Sequence, residues 1–596
     1  MNMDFKHIGV LLRRIFPVLF HEGISTFWHK TKKIMTRRFK TDYAVWIDQN
    51  YLLKNQLKLM REKINNFSFQ PKISLIMPVY NVEKKWLKKA VQSVFSQIYS
   101  NWELCIVDDA SPQKYIKRFL SQYQNDEKFK IEFLNRNQGI AAASNRALSS
   151  ASGEFVGFLD DDDVLTQDAL FEVVQLLNKN PKADLIYSDE DKIDVHGKRF
   201  QPFFKPDYSP DLLMSFNYIC HFLICREQMV RDAGGFRMGF EGSQDYDLLL
   251  RLTEKTDQIY HIPKILYHWR QIKGSTSVDH KEKAAHIKNS IKALDQALER
   301  RGIEGTVEPG IHFDQFENYR VKRKIKNHPK VSVIIPTRDK VSLLKTCVHS
   351  IQEKTDYQNY EIIIVDNKSQ QPDTLDFLSD LKAQDGIRVI QYDKEYNFSK
   401  INNFAVDHAQ GSHILFLNND TEVLSQEWMT CMLEHSQRKK VGAVGAKLLY
   451  PDNTIQHAGT IVGLGGVAAH SHKKFPSSSN GYFGSLNVIR NYSAITAACM
   501  MTRKKVFEEA GGFDGKHFPV GFNDVDFCLE LRKRGYLIVY TPYASLYHYE
   551  SRSRSYSLDP DEIKFMKKKW GNILSSDPYY NPNLSYDSED FRIKID

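Results

Sequence analysis

The chain repeats one ordered set of short motifs at a fixed offset of 258 residues. In each copy three apolar runs end, in turn, at a proline, at an aspartate and at a cluster of acidic or amide side chains. The matched positions are Pro78 and Pro336, Asp108 and Asp366, Asn145 and Asn403, Gly153 and Gly411, and Asp160 and Asn418. Solenoid repeats run to about 20–50 residues, so a repeat of this length indicates a duplicated domain.

The offset grows to 279 residues between Asp245 and Asp524, so the second copy carries an insertion after its acidic cluster. The insertion includes the glycine-rich stretch 463–472, with His470 and His472. We expect a flexible loop here, a candidate lid. Metal ligation by the two histidines is one interpretation, and two exposed loop histidines are the more frequent case.

Each copy is predicted to fold as an α/β domain with a mostly parallel central sheet. Residues 73–78 and 104–107 are apolar runs typical of buried strands, and apolar positions recur at helical spacing in 83–98 between them. A strand–helix–strand unit gives parallel strands, and such sheets bind ligands at the carboxyl ends of the strands. The three motifs are therefore expected to face one crevice.

Four aspartates, Asp160 to Asp163, directly follow the apolar run 154–159. Like charges at the end of a buried strand are costly unless a positive group lies among them. A divalent cation that prefers oxygen ligands is a natural candidate. A solvated acidic turn, or Asx-type capping of the following turns, is the alternative. A solvated turn or a capping function explains a single carboxylate well. Neither explains well why several carboxylates converge in both copies.

Asp245 and Asp524 each stand at the start of an apolar helix. A carboxylate in the first turn is favoured by the helix dipole, so each is a candidate capping residue. A carboxylate apart from the metal cluster can instead serve as a general base. On local grounds both interpretations stay open.

The composition favours a large two-domain protein in a reducing compartment. The 596 residues exceed what one core usually organises, and the 42% hydrophobic content is that of a globular protein. The seven cysteines are odd in number and lack CxxC spacing, which favours free thiols over disulfides or a zinc site. No apolar run approaches the roughly 18 residues of a membrane span, and the start lacks a clean signal-peptide core. We predict a cytoplasmic protein.

The net charge of +9 is concentrated at the start of the chain. Residues 1–40 hold nine Lys/Arg against Asp4 and Glu22, which leaves only +2 for the remainder. This distribution argues against a nucleic-acid binder with a basic face. Apolar residues interleave with the basic ones, so this arm is predicted to contact an anionic membrane from the cytoplasmic side. A helix packed on the first domain with a solvated basic face is an equally open interpretation.

Carboxylates that hold a metal, beside a crevice that could hold a nucleotide, suggest a metal-bound diphosphate. With a separate carboxylate as base, they fit displacement of a nucleoside diphosphate by a hydroxyl. A nucleotidyl- or pyrophosphate-processing enzyme is another interpretation, but it leaves Asp245 and Asp524 without a role.

The order of these motifs resembles the family 2 glycosyltransferases of GT-A fold, from residue 71 nearly to the end and in two copies. In the first copy the resemblance is carried by IMPVYN (76–81), IVDDAS (106–111), FLDDDD (158–163) and GSQD (242–245). The second copy looks like the rhamnosyltransferase-type branch through VDNKS (365–369), FLNND (416–420) and NDVD (523–526). The resemblance implies inverting transfer from nucleotide sugars, such as a UDP-sugar or dTDP-rhamnose, with Mg²⁺ or Mn²⁺.

In the first copy the resemblance makes Asp245 the catalytic base and favours Asp162 as the direct metal ligand. Asp160 is then the other end of the D-x-D motif, and His268 is a further metal ligand. The implied donor-binding positions are Pro78, Tyr80, Asp108, Asp109 and Asp161, with Asp109 matching the family's base-binding aspartate.

In the second copy the resemblance makes Asp524 the base and Asp420 the metal ligand, joined by Asn418 and His548. The implied donor-binding positions are Pro336, Asp366, Asn367 and Asn419. Asn367 and Asn418 replace acids of the first copy and weaken the negative field of this site. The branch commonly carries these asparagines, so an active second site is favoured.

These inferences define a bifunctional enzyme of two tandem GT-A domains, each Rossmann-like with a mostly parallel central sheet. The predicted divisions are a basic, partly amphipathic helical region 1–70, a first domain 71–280, a helix and linker 281–330, and a second domain 331–596 with a C-terminal extension. The expected acceptor is a lipid-linked oligosaccharide or lipopolysaccharide at the inner face of the cell membrane. In the alternative, domain one is catalytic and domain two binds glycan or nucleotide.

Overall fold

The computed structural model describes residues 41–272, 280–311, 317–550 and 559–595. The basic arm 1–40 lies outside the described residues. The division into domains at residues 71, 281 and 331 stays a prediction, and "first half" and "second half" denote here the residues before and after 331.

The described part of the first half alternates helices and strands. Its helices are α1 (Asp42–Gln49), α2 (Lys54–Ile64), α3 (Lys84–Phe95), α4 (Lys114–Leu120), α5 (Ile140–Ser150), α6 (Ala169–Lys179), α7 (Pro210–Leu213), α8 (Glu227–Asp232), α9 (Gln244–Leu252) and α10 (His280–Arg300). Its strands are β1 (Ile73–Val79), β2 (Trp102–Asp108), β3 (Phe129–Phe133), β4 (Phe155–Phe158), β5 (Val164–Leu165), β6 (Leu185–Ile193), β7 (Arg199–Phe203), β8 (Leu223–Arg226), β9 (Ile259–Arg270), β10 (Gly305–Pro309) and β11 (Tyr319–Arg323).

The second half follows the same order. Its described helices are α11 (Val341–Lys354), α12 (Pro372–Lys382), α13 (Phe398–His408), α14 (Trp428–Ser436), α15 (Lys504–Ala510), α16 (Asn523–Lys533) and α17 (Pro560–Leu574). Its strands are β12 (Val331–Thr337), β13 (Tyr360–Asp366), β14 (Ile387–Gln391), β15 (His413–Leu417), β16 (Thr421–Val423), β17 (Val441–Leu449), β18 (Ile455–His457), β19 (Thr460–Val462), β20 (Ala468–His470), β21 (Arg490–Tyr492), β22 (Cys499–Arg503) and β23 (Leu537–His548).

Each half is built around one large sheet, and the two sheets have matching strand orders. The first runs β3-β2-β1-β4-β8-β6-β9-β5 and the second β14-β13-β12-β15-β22-β17-β23-β16. The strands that carry the motifs pair in parallel, with Ile73 opposite Trp102 and Val331 opposite Tyr360. The predicted duplication of an α/β domain is therefore confirmed down to strand register. Beyond β4 and β15 each sheet is mixed: β4–β8 and β15–β22 are antiparallel, whereas β6–β9 and β17–β23 are parallel.

Amphipathic sequence explains the first strand–helix–strand unit. Strand β1 is buried along nearly its whole length. Helix α3 buries Trp86, Leu87, Ala90, Val91 and Val94 on one side. These positions recur every three or four residues, which is the spacing of one helix face. The helix therefore covers the sheet and leaves the carboxyl ends of β1 and β2 open.

The two halves meet through buried charged and polar groups. The Asp211 carboxylate in α7 is 2% exposed and binds Arg438 at 2.5 Å and Asn491 at 2.8 Å. Burial favours the neutral acid, but Arg438 holds the pKa of Asp211 well below its usual range. Near the C-terminus, Asn581 donates to both oxygens of the buried Asp189 at 3.1 and 3.0 Å. The second half therefore supplies the groups that keep two buried carboxylates of the first half hydrogen-bonded.

The insertion of the second half lies between β17 and β22, after the acidic cluster as predicted. Strands β19 and β20 pair antiparallel within it, with Thr460 opposite His470. The expectation that both histidines are exposed is wrong: His470 is half-buried, and His472 is 1% exposed. Its ring stacks on Phe591, and its Nε2 accepts the Tyr482 N–H at 3.0 Å.

Candidate functional site

The strand ends of the first half meet as the sequence predicts, and together they form site one (the loops after β1, β2 and β4, with Asp245). The Tyr80 N–H donates to Asp161 Oδ2 at 3.0 Å, and the Asn81 N–H donates to Ser111 Oγ at 2.9 Å. Pro78 lies one residue before the end of β1, opposite Val107. Burial raises the pKa of Asp160, and the charge of Asp245 adds to this rise, so the base candidate lies within electrostatic reach of the acids.

The matching loops of the second half form site two (the loops after β12, β13 and β15, with Asp524 and His548). Its Asp339 N–H donates to Ser369 Oγ at 2.8 Å, and Pro336 again precedes the last residue of its strand. Ala110 and Lys368 occupy matched positions with φ of 58° and 62°. Left-handed backbone at a non-glycine residue costs about 1–2 kcal/mol. Both sites therefore retain the same strained turn despite different side chains.

The loops after β2 and β13, which the sequence predicts to bind the donor, differ at one polar residue: Asp109 in the first half is Asn367 in the second. The carboxylate of Asp109 accepts N–H groups of Gln138 and Gly139 at 2.7 and 2.8 Å. The Nδ2 of Asn367 instead donates to the carbonyls of Tyr392 and Lys394, both at 2.9 Å. Each side chain suits the backbone it faces, so the asparagine is matched to its own site.

Asp109 and Asn367 differ in which side-chain oxygen atoms lack a hydrogen bond within the protein. Both oxygens of Asp109 hold backbone N–H groups. The Oδ1 of Asn367 is buried and, among the described residues, has no hydrogen-bond partner. The preceding residues Asp108 and Asp366 each accept a serine N–H, at 3.2 and 3.0 Å. Burial raises the pKa of Asp108.

The four aspartates of site one divide into anchored and available carboxylates. Asp161 holds the loop after β1, and Asp163 accepts both Tyr267 OH and Arg270 N–H, each at 2.6 Å. Burial and then the neighbouring Asp160 raise the pKa of Asp162 to about 6. Burial also raises the pKa of Asp160. Two partly buried carboxylates that disfavour each other's charge are stabilised by a cation.

Sequence analysis missed His221, which lies two residues before the start of β8. Its Nε2 is 3.9 Å from Asp160 Oδ2, and its Nδ1 is 3.1 Å from Glu190 Oε2. Burial opposes a charged ring, but Glu190 and Asp160 raise the pKa of His221 to about 9. Ligand atoms of Asp160, Asp163 and His221 all lie within 4.8 Å of one another. We favour Asp160 and His221 of this group as metal ligands, because both Asp163 oxygens are already hydrogen-bonded.

The expectation that His268 matches His548 is wrong by one residue. Val164 pairs with His268 in the first half, whereas Thr421, which matches Asp163 at the offset of 258, pairs with His548 in the second. Trp269 therefore occupies the position of His548. Neighbouring strand residues point to opposite faces. His268 accordingly binds the buried Asp191 at 2.5 Å, away from the acidic cluster.

Site two brings together the three predicted metal ligands. His548 Nε2 is 3.2 Å from Asp420 Oδ1 and 3.3 Å from the Asn418 amide nitrogen. Asn419 has a separate function: its Nδ2 donates to Thr337 Oγ1 at 3.0 Å and joins the loops after β12 and β15.

The paired donor atoms of each site lie close enough to bind one divalent ion. Two ligand atoms bonded at about 2.1 Å to the same ion can lie at most about 4.2 Å apart. The 3.2 Å separation at Asp420 and His548, and the 3.9 Å separation at Asp160 and His221, are both below this limit. Oxygen with imidazole nitrogen is a suitable donor set for Mn²⁺ and acceptable for Mg²⁺.

The helix-start acids are not simple caps. Asp245 Oδ2 accepts Asn217 Nδ2 at 2.9 Å, and Asp524 Oδ2 accepts the Ala497 N–H at 3.0 Å. Burial raises the pKa of Asp524. The second acid of each motif is structural instead. Asp247 is buried with Arg237 and Arg251, and Asp526 binds Lys569 and Trp570 at 2.6 and 2.7 Å.

The fold is a duplicated one of the transferase type. Each copy has an α/β sheet with an acidic cluster at a matched strand end and a separate carboxylate beside it. Residues 74–233 and 332–511 match Glycosyl transferase family 2, and together these segments make up more than half of the chain. The chain belongs to this family, and its two halves are tandem GT-A domains.

Relatives match the chain across both domains. It is 40% identical to the uncharacterized protein y4gI of Sinorhizobium fredii and 36% identical to the O-antigen biosynthesis protein RfbC of Myxococcus xanthus, each over 92% of this chain. It spans 61% and 43% of their lengths. A chondroitin synthase of Escherichia coli is 29% identical over 41% of this chain and 35% of its own length. Within the described residues, no helix is long and apolar enough to cross a membrane.

Proposed function

We propose that this protein is a bifunctional inverting glycosyltransferase that adds sugars from nucleotide-sugar donors to a growing bacterial surface polysaccharide. The carrying observation is that each domain has its own acidic strand-end cluster, a histidine beside it and a separate helix-start carboxylate. The relatives named for O-antigen and chondroitin synthesis support the polysaccharide product. They are longer than this chain, so their complete activities are not transferred to it.

A divalent cation, Mg²⁺ or Mn²⁺, would be held by Asp160, Asp162 and His221 in site one. In site two it would be held by Asp420, His548 and Asn418. When bound, such an ion offsets the charge that develops on the leaving diphosphate. The loops after the first two strands of each sheet hold the nucleotide. A UDP-sugar is proposed for site one and dTDP-rhamnose for site two.

Asp245 and Asp524 act as the general bases. Each carboxylate takes the proton of an acceptor hydroxyl while that oxygen bonds to the anomeric carbon. The bond between this carbon and the diphosphate oxygen breaks, and the electron pair leaves with the nucleoside diphosphate. One displacement inverts the anomeric configuration. The hydrogen bond from Asn217 orients Asp245, and the Ala497 N–H orients Asp524.

The acceptor is proposed to be a lipid-linked oligosaccharide or lipopolysaccharide, presented at the inner face of the cell membrane. The basic arm 1–40 then holds the enzyme at that surface, through anionic lipids. Sedimentation with anionic vesicles compares the full chain with a truncation that begins at Thr41. Equal sedimentation of the two proteins would contradict this function of the arm.

Metal-dependent hydrolysis of UDP-, dTDP- and GDP-sugars tests the two-site proposal. Wild type is compared with Asp162→Ala and Asp420→Ala. Loss of a different donor activity in each variant is the expected result. If Asp162→Ala removes all activity and Asp420→Ala none, domain two is a glycan- or nucleotide-binding module instead. The observation that favours this second candidate is that Asn367 and Asn418 replace acids of the first copy.

A further inference from the structure

The insertion of the second domain brings two histidines into contact beside site two. His457 ends β18 and His470 ends β20, and their Nδ1 atoms are 2.8 Å apart. His457 is fully buried, and His470 is half-buried. At this distance one Nδ1 donates a proton and the other accepts it. The first domain lacks the inserted segment and therefore has no counterpart.

The surroundings of His457 decide which nitrogen donates. Its Nε2 accepts the Gly459 N–H at 3.3 Å and the Thr496 N–H at 3.5 Å, so this atom carries a lone pair. Burial lowers the pKa of His470 to about 4 and that of His457 well below its usual value, so both rings are neutral. The His457 proton is then on Nδ1 and is donated to His470 Nδ1. The His470 proton is therefore fixed on Nε2.

The histidine pair lies between the candidate base and the candidate metal ligands of site two. Thr496, which donates to His457, is followed by Ala497, which donates to the candidate base Asp524. On the other side, the His548 ring is close enough to lower the pKa of both histidines. In a displacement the donor sugar must lie between the metal-bound diphosphate and the base. The pair therefore borders the space that the sugar occupies.

The outward nitrogen of His470 is available to a ligand. Among the described residues, His470 makes a hydrogen bond through Nδ1, and no hydrogen bond is made through its Nε2. A zinc site is not favoured, because the described residues place no third His, Cys, Asp or Glu ligand atom within reach of both rings. A neutral N–H donor of fixed direction instead suits a sugar hydroxyl oxygen.

We propose that His470 recognises the donor sugar of site two by donating its Nε2–H to a sugar hydroxyl, and that His457 is the positioning residue that fixes this tautomer. The inference rests on the proposed donor site in domain two and deepens it. It predicts that the His470 side chain contributes to binding of the sugar part of the donor and not to binding of the nucleoside diphosphate part.

Equilibrium binding to the full chain tests this assignment. An Asp162→Ala background weakens site one, and the probes are dTDP-rhamnose and a panel of UDP-sugars, each with the free dTDP or UDP. His470→Ala is expected to weaken nucleotide-sugar binding on the order of tenfold, the usual effect of one neutral hydrogen bond. Binding of the free nucleoside diphosphate should stay unchanged. His470→Gln retains a donor near the Nε2 position and should recover most of the affinity.

His457→Phe tests the positioning step, and His349→Ala on the exposed face of α11 is the control. His457→Phe should lose part of the sugar-dependent affinity and raise KM more than it lowers kcat. Equal weakening of nucleotide-sugar and free nucleotide by His470→Ala, or no weakening, would overturn the assignment. So would zinc that copurifies with wild type and is lost in His470→Ala. If the background protein binds no nucleotide sugar, the proposed donor site itself fails.

Discussion

Replacement of His221 and of His268 distinguishes the metal ligand that we propose from the structure from the one expected from sequence. His221 Nε2 is 3.9 Å from Asp160 Oδ2, so both side chains could hold one ion with bonds of about 2.1 Å. His268 instead faces Asp191. Loss of an outer-shell partner alone changes metal affinity about 10–100-fold, so loss of a direct ligand should weaken binding at least about tenfold.

The assay is titration with Mn²⁺, followed by the electron paramagnetic resonance signal of the free ion, in an Asp420→Ala background that weakens site two. His221→Ala should weaken the remaining Mn²⁺ site at least about tenfold. His268→Ala should leave it unchanged and lower the free energy of unfolding by about 1–3 kcal/mol, because a buried hydrogen bond to Asp191 is lost. Tyr43 and Arg199 remain bonded to that carboxylate.

The opposite pattern would refute the structural reasoning. If His268→Ala weakens Mn²⁺ binding and His221→Ala does not, the strand register argument fails and His268 is the ligand after all. Urea unfolding of each variant shows whether weaker binding accompanies general loss of structure. Mn²⁺ binding that neither variant alters would mean that carboxylates alone hold the ion in site one.

Three further predictions concern the bases, the domain interface and the donor loops. Asp245→Asn and Asp524→Asn should each lower sugar transfer to the acceptor about 10²–10⁴-fold with little change in donor binding, as single-turnover product analysis and nucleotide titration would show. Asp211→Ala should lower the free energy of unfolding by about 3 kcal/mol, because it leaves the half-buried Arg438 and the buried Asn491 without their carboxylate partner. Urea denaturation measures the change, and a loss below about 1 kcal/mol would contradict the buried interface. Ala110→Gly should raise the midpoint of urea unfolding, because relief of the positive φ is worth about 1–2 kcal/mol and glycine's greater freedom in the unfolded chain costs about 0.4–1 kcal/mol. A lower midpoint would contradict the strained turn.

The architecture was predictable because the motifs that define it are local and repeated. The apolar runs that end at Pro78 and Pro336 are buried strands, and the offset of 258 residues is preserved as strand register. Parallel pairing then brings the strand ends together without further information. The clusters at Asp160 and Asn418 consequently lie where the sequence placed them.

The finer parts of the site depend on pairings that a single sequence does not encode. His221 is separated from Asp160 by about sixty residues and reaches it only because β8 pairs antiparallel with β4. The error at His268 arose from matching one histidine to another by residue type, whereas pairing register matches His548 with Trp269. The sequence does contain a signal for the correct match. Asp245 and Asp524 are 279 residues apart, and the same offset places His548 opposite Trp269 rather than His268.

Strand β6 links site one to the second domain, and this affects how the two sites can be studied. Its consecutive acids Asp189, Glu190 and Asp191 are all buried, and each has different partners. Glu190 holds His221 at 3.1 Å, while the adjacent Asp189 accepts two hydrogen bonds from Asn581 of the second half. Separately expressed halves would leave Asp189 without Asn581 and Asp211 without Arg438, and an unpaired buried charge is strongly destabilising. Inactivity of an isolated first half would therefore not show that its site is inactive in the full chain, and point variants that keep both halves are the appropriate way to assign each activity.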